Sequence, residues 1–169
     1  DLTGGFGVDD YFFSKKVDKI VHCELNEELS QIVKHNFKQL NVENSDFYCD
    51  NSYDVLQNLN QKFDWIYIDP SRRNDAKGKV FMLKDCLPNV PDLLDYYLDY
   101  SNNILIKTAP ILDISAGLSE LNNVKEIHIV AVENEVKELL WIIEKNYSKE
   151  IKIKTANFNK EIIEKFDFQ

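Results

Sequence analysis

Long apolar runs are absent from this 169-residue chain. No stretch reaches the ~18 consecutive apolar residues that a membrane-crossing helix needs, so no membrane association is predicted. No signal peptide is visible, and we expect a cytoplasmic protein. Closely spaced cysteine pairs are absent too. Cys23, Cys49 and Cys86 are odd in number and far apart. That excludes a zinc site of ordinary ligand spacing, and it reads as three reduced, buried thiols. His22 adjoins Cys23, but no second pair follows at ligand spacing. His35 and His128 stand alone, so no metal is expected. Repeats, low-complexity tracts and linkers are missing. So is a positive balance: the formal net charge is −9. An acidic surface does not grip nucleic acid with its whole face, although a local basic patch still can.

What is present suits one globular domain with a full core, at 44% hydrophobic residues. Strand and helix patterns alternate. Residues 19–24 (KIVHCE) read as a buried strand. Asn26 is an N-cap candidate, with Glu27 and Glu28 where the helix dipole favours acids. Leu29, Ile32, Val33, Phe37 and Leu40 fall on one helical face, and Asn41 can end that helix. Residues 46–50 (DFYCD) predict a strand and 53–59 a short helix. Residues 63–70 (FDWIYIDP) predict a strand closed by proline, with Trp65 and Tyr67 as core. A polar loop spans 71–79. Residues 92–100 predict a helix and 103–110 (NILIKTAP) a strand. Residues 126–145 fit either a strand hairpin or a helix from 136, and we favour the hairpin as an antiparallel edge. Residues 151–155 alternate as a strand. The fold class is therefore α/β, a mostly parallel sheet with helices on both faces and an antiparallel C-terminal hairpin. Residues 1–147 form its core. Residues 148–169 are an extension or the start of a following domain.

Glycine is scarce, at five residues, yet three of them stand in DLTGGFGVD at the start of the chain. Backbone this bare lets a ligand approach closely and permits positive φ. Several strand patterns end in an acid: Asp1 heads the glycine loop, and Glu24, Asp50 and Asp69 close the strands that follow. In an open α/β sheet ligands bind at those carboxyl ends. A dinucleotide loop reads G-x-G-x-x-G. Here Gly5 and Gly7 are followed by Asp10, and with Asp9 it would repel a pyrophosphate. Together with Asp50, this disfavours a nicotinamide-dependent oxidoreductase. The ligand expected is a nucleoside without phosphate, with a positive charge of its own. Glu24 can accept from ribose hydroxyls and Asp50 from an adenine amino group.

DLTGGFGVD, HCELN, YCDNSYD and IYIDPSRR resemble the successive motifs of class I S-adenosylmethionine-dependent methyltransferases. With KDCLPNVPDLL and IKTAPILDIS the chain is similar, more narrowly, to bacterial THUMP-like-domain methyltransferases, whose loop usually reads DPARR where this one reads DPSRR. The resemblance implies a Rossmann-like methyltransferase fold and S-adenosylmethionine as cofactor. It implies Asp1, Thr3, Gly4, Gly5, Gly7, Glu24, Leu25, Asp50, Asn51 and Asp69 around that cofactor. Asp1 would then end a first strand that this stretch of chain lacks.

The resemblance also places Asp69, Pro70, Arg72 and Arg73 at the reaction. Methyltransferases acting on exocyclic base amines carry D/N-P-P-Y/F/W here. Ser71 and Arg72 replace the second proline and the aromatic, which speaks against that chemistry. No cysteine lies in the loop to support a covalent ring-carbon route. The loop offers positive charge instead. Arg72, Arg73, Lys77, Lys79 and Lys84 are opposed only by Asp75 and Asp85, and Lys107 can join them. Such a patch holds a phosphate or carboxylate, or is a solvated loop whose arginines pair with nearby acids. RNA, reached through this loop and flanking domains, is the leading substrate. A methyltransferase for a small anionic molecule and a cofactor-binding module without activity are the alternatives.

Overall fold

The computed structural model describes residues 1–72, 82–159 and 162–168. The chain divides into two compact units, Asp1–Lys62 and Phe63–Gln169.

In the first unit, helix α1 (Val8–Phe13) precedes strand β1 (Ile20–Cys23). Helix α2 (Glu27–Gln39) then leads to β2 (Ser45–Tyr48), which pairs parallel with β1, and α3 (Ser52–Leu59) follows. A parallel pair needs a crossover of this kind. The caps are as the sequence predicts. Asn26 accepts from the Leu29 amide at 3.0 Å, and Asn41 takes a left-handed φ of 55° just past the helix. The buried stripe of α2 is narrower than expected: Ser30, Val33 and Phe37 are buried while Ile32 and Leu40 are exposed. Phe37 packs edge-on against Phe47 of β2, and that contact sets which face turns inward.

The second unit holds a six-stranded mixed sheet. It is built from β3 (Ile66–Ile68), β6 (Asn103–Thr108), β7 (Val124–Val132), β8 (Glu135–Glu144), β9 (Lys152–Asn159) and β10 (Ile162–Phe168). The spatial order is β10-β9-β7-β8-β6-β3. A small antiparallel ladder of β4 (Ser71–Arg72) and β5 (Cys86–Leu87) lies apart from it. Helix α4 (Val90–Leu98) carries the chain between the parallel strands β3 and β6. It starts two residues before the expected position because Pro91 sits in its first turn, where a missing N–H costs nothing.

The C-terminal hairpin β7–β8 forms as expected, but it lies inside the sheet, between β9 and β6, and not at its edge, because β9 adds parallel to β7 and β10 follows it. Glu133 and Asn134 both take positive φ, the pairing a two-residue hairpin turn demands. Leu139, Trp141 and Ile143 are buried at period two along β8. Trp141 is the central side chain of this core. Its indole N–H donates to Thr108 Oγ1 at 3.0 Å, and its ring lies against Gly117 of helix α5 (Ile114–Glu120).

Two burial expectations are corrected. Trp65 is 52% exposed, because it precedes the β3 ladder instead of pointing into it. Cys49 is exposed, just beyond the end of β2, whereas Cys23 and Cys86 are buried as expected. Among the described residues no helix is long and apolar enough to cross a membrane.

Candidate active site

The glycine loop is tied to β1 from both directions. Cys23 N–H donates to the Asp1 carbonyl at 3.0 Å, and Gly4 N–H donates to the Cys23 carbonyl at 2.8 Å. Asp1 folds its carboxylate onto its own loop, where Oδ1 accepts from Thr3 N at 2.7 Å and Thr3 Oγ1 at 3.1 Å. Glu24 bridges loop and strand end. One oxygen accepts from Gly5 N at 2.8 Å and the other from Asn26 N at 2.7 Å. An sp² carboxylate oxygen holding one N–H keeps a second lone pair, so both oxygens can still accept from hydroxyls.

The three glycines are bare for different reasons. A Cβ on Gly4 would stand 2.1 Å from His22 Cε1, and one on Gly7 2.6 Å from Val33 Cγ1. Both positions are filled from inside the protein. Among the described residues, a Cβ on Gly5 would meet nothing nearer than the Thr3 carbonyl at 3.7 Å, and its φ is +52°. Gly5 is therefore the position where a ligand can approach the backbone.

Asp50 lies at the end of the neighbouring strand, with Glu24 N–H donating to the Tyr48 carbonyl beside it at 3.1 Å. Its Oδ1 accepts from Asn51 N at 2.7 Å. Asn51 caps α3 by accepting from Asp54 N at 2.9 Å. Buried Cys23 donates its thiol to the Asp50 carbonyl at 3.1 Å. Burial pushes that thiol up to about 12, so it is a structural donor and not a nucleophile. Leu25, adjoining Glu24, is 59% exposed, and Phe6, within the glycine loop, is 72% exposed. Tyr53, three residues past Asp50, is exposed as well. Phe6 and Tyr53 were not among the residues expected at the site; the available signal was an aromatic one residue past Gly5 and another three past Asp50. Carboxylates beside uncovered apolar side chains can hold a nucleoside, with hydroxyls on the acids and a base on the apolar faces.

Asp10 does something other than guard the loop. It is 1% exposed and its Oδ2 lies 2.7 Å from His22 Nδ1. The carboxylate points into the core, so its repulsion of a pyrophosphate no longer argues against a dinucleotide. Asp50 and the acids at the strand ends carry that argument.

In the second unit, Asp69 and Pro70 follow directly on β3. Lys107, on the adjacent strand β6, places Nζ 3.0 Å from Asp69 Oδ2. The ammonium counted toward the cationic patch is thus shared with a carboxylate. Arg72 pairs through its backbone with Cys86, and Ser71 with Leu87. The returning end is fixed by Glu120, which accepts from Leu83 N at 2.7 Å and Lys84 N at 3.2 Å. Arg73, Lys77 and Lys79 lie outside the described residues. Among the described residues no three His, Cys, Asp or Glu side chains gather as a metal site.

No family model matches the chain. Over 72 residues, 43% of its length, the chain is 35% identical to an uncharacterised RNA methyltransferase of Clostridium acetobutylicum, of which it spans 16%. A solved candidate methyltransferase from Porphyromonas gingivalis W83 superposes over 99% of this chain with a TM-score of 0.86 and 29% identity, and the chain spans 42% of that protein. An rRNA methylase from Streptococcus thermophilus superposes with a TM-score of 0.59 and 16% identity, covering 86% of this chain and 84% of its own. A candidate methyltransferase from Streptococcus mutans, solved with S-adenosylhomocysteine, gives 0.58 and 15%, covering 85% of each chain. The fold is the Rossmann-like methyltransferase fold.

Proposed function

We propose that the protein is an S-adenosylmethionine-dependent methyltransferase that acts on RNA. The observation that carries this reading is the pairing of Gly5 with Glu24: an open glycine whose N–H is held by an acid at the end of the next strand. The site around it is rich in acceptors. That composition disfavours phosphate and suits a ligand with ribose hydroxyls, an adenine amine and a sulfonium cation. Asp1 and Thr3 shape the loop, with Gly4 and Gly7 packed beneath it. Glu24 accepts from the ribose hydroxyls, and Asp50 and Asn51 hold the adenine edge, with Leu25 on the ring. The S. mutans neighbour solved with S-adenosylhomocysteine supports the choice of cofactor.

The cofactor supplies a methyl group on a cationic sulfur. The chain's own residues position the acceptor and take up its proton. Asp69 is the group for that proton, and Pro70 fixes the turn that presents it. Arg72, Arg73, Lys77 and Lys79 hold the phosphates of the substrate. RNA as substrate is supported by the names of the C. acetobutylicum relative and the S. thermophilus neighbour. RNA would be held through this loop together with flanking domains. The motifs favour the THUMP-like group, and free cysteines, one of them exposed, suit the reducing cytoplasm.

The test is transfer of a labelled methyl group from S-adenosylmethionine to total RNA and, in parallel, to small carboxylates and phosphates. Label in RNA is expected. The Arg72→Gln/Arg73→Gln variant should keep its donor affinity and lose about 10²-fold in turnover. Its RNA binding should fall less steeply with salt, by about two phosphate contacts. Label only in small anions points to that substrate class. Donor binding without transfer to either returns the protein to a cofactor-binding module.

A further inference from the structure

Asp10 and His22 are buried at 1% and 0% exposure, twelve residues apart in sequence, on α1 and β1. These are the two elements that flank the glycine loop. Among the described residues, the second atom of each, Asp10 Oδ1 and His22 Nε2, has no hydrogen-bond partner. For stability alone this is a poor arrangement. Withdrawing a carboxylate and an imidazole from water is costly, and an apolar pair of similar volume often does as well or better. The arrangement needs another reason.

The ring supplies it. His22 lies directly under Gly4, so close that a single added carbon there would overlap it. Gly4 is also bonded through its N–H to the Cys23 carbonyl, one residue along from the ring. The next residue, Gly5, is the one whose N–H meets Glu24. The imidazole therefore forms the floor beneath the loop, and its tilt sets the height of Gly4 and Gly5 above β1. A ring can spin about its last torsion unless something holds it. Asp10 holds it, from the first turn of the helix that the loop runs into. Phe47 meets the same ring from β2, with centroids 5.3 Å apart.

We propose that Asp10 and His22 are positioning residues for the methyl donor: the pair fixes the imidazole as a floor that gives the glycine loop its donor-binding shape. This rests on the reading of the loop as the S-adenosylmethionine site. A corollary is that Gly4 is glycine because of the ring below it, and not because of the ligand above.

The test combines a double-mutant cycle with an apolar replacement, read by donor affinity and by amide exchange of residues 3–9. Gly4→Ala and His22→Ala should each weaken S-adenosylmethionine binding by about tenfold or more and speed exchange in the loop. Gly4→Ala/His22→Ala should be clearly less impaired than the two losses combined, because the methyl group fills space the ring has vacated. Asp10→Asn keeps an acceptor for the ring and should bind the donor almost normally. Asp10→Leu should lose affinity even where its Tm is unchanged or raised, which a merely structural role would not produce. Simple additivity in the cycle overturns the inference, as does an Asp10→Leu variant with wild-type affinity and loop exchange. If the wild-type protein does not bind the donor at all, the donor-site reading fails, and loop exchange in the same variants still decides whether the pair fixes the loop.

Discussion

Lys107 reaches from β6 to the carboxylate of Asp69 at the end of β3, with 3.0 Å between Nζ and Oδ2. The two strands run parallel, with Ile68 opposite Ile106, so the residues that follow them emerge side by side. The sequence suggested a lysine free to join a cationic patch. Paired, it becomes a group that fixes the Asp69 carboxylate in place.

Replacing Lys107 by Met should therefore act on chemistry and not on binding. We expect kcat to fall by about 10²-fold with KM for the anionic substrate little changed. A raised KM with unchanged kcat would return Lys107 to gripping the substrate.

Gly117 faces Trp141 so closely that an added Cβ would stand 2.4 Å from Cη2. The indole cannot step aside while its N–H is held by Thr108. Gly117→Ala should cost about 1–2 kcal/mol net, since overpacking outweighs the gain in helix propensity. That corresponds to a Tm lower by roughly 2–8 °C for a chain of this size. A higher Tm would mean that Trp141 has room to move.

Those two contacts also show what the sequence could and could not reveal. Hairpin β7–β8, strand β6 and the caps of α2 were legible because period, turn residues and N-cap chemistry agree there. Helix α5 was not. Its one buried residue is Gly117, so it carries no apolar stripe to read. Strand β10 was missed because all of its residues are exposed, and β4 and β5 because two-residue strands have no period. At the site, the acids at the strand ends were legible one by one. Which of them faces outward was not, since Asp10 turns inward to a histidine that sequence spacing does not associate with it.

The thiols should react in a fixed order. Cys49 is exposed, while Cys23 and Cys86 are buried and Cys23 is pushed up to about 12. Alkylation of the native protein near pH 8 should label Cys49 alone, and S-adenosylmethionine should slow it, because Cys49 adjoins Asp50. Mass spectrometry showing Cys23 labelled as fast as Cys49 would refute the packing around the strand ends.

Glu126 is held below its ordinary pKa by the hydrogen bond from Lys154, then by the one from His128. A carboxyl lowered in the folded state contributes stability that is fully present above its unfolded value of about 4.3 and is lost as pH falls through the folded value. Glu126→Gln should thus lower Tm at pH 7, and the gap from wild type should close on acidification below about pH 4. A gap that stays constant to pH 3 would show that the charge of Glu126 contributes nothing.

The assignment of the glycine loop and Glu24 as the holders of S-adenosylmethionine is decided by calorimetry. The wild-type protein is titrated with S-adenosylmethionine and, separately, with NAD, and Glu24→Ala is titrated alongside. One saturable site for S-adenosylmethionine and no comparable site for NAD are expected. Affinity should fall by about 1.5–3 kcal/mol in the variant, roughly 10- to 150-fold in Kd, because charged hydrogen bonds to the ribose are gone. Equal affinity of a folded Glu24→Ala protein, or binding of NAD in place of S-adenosylmethionine, would contradict it.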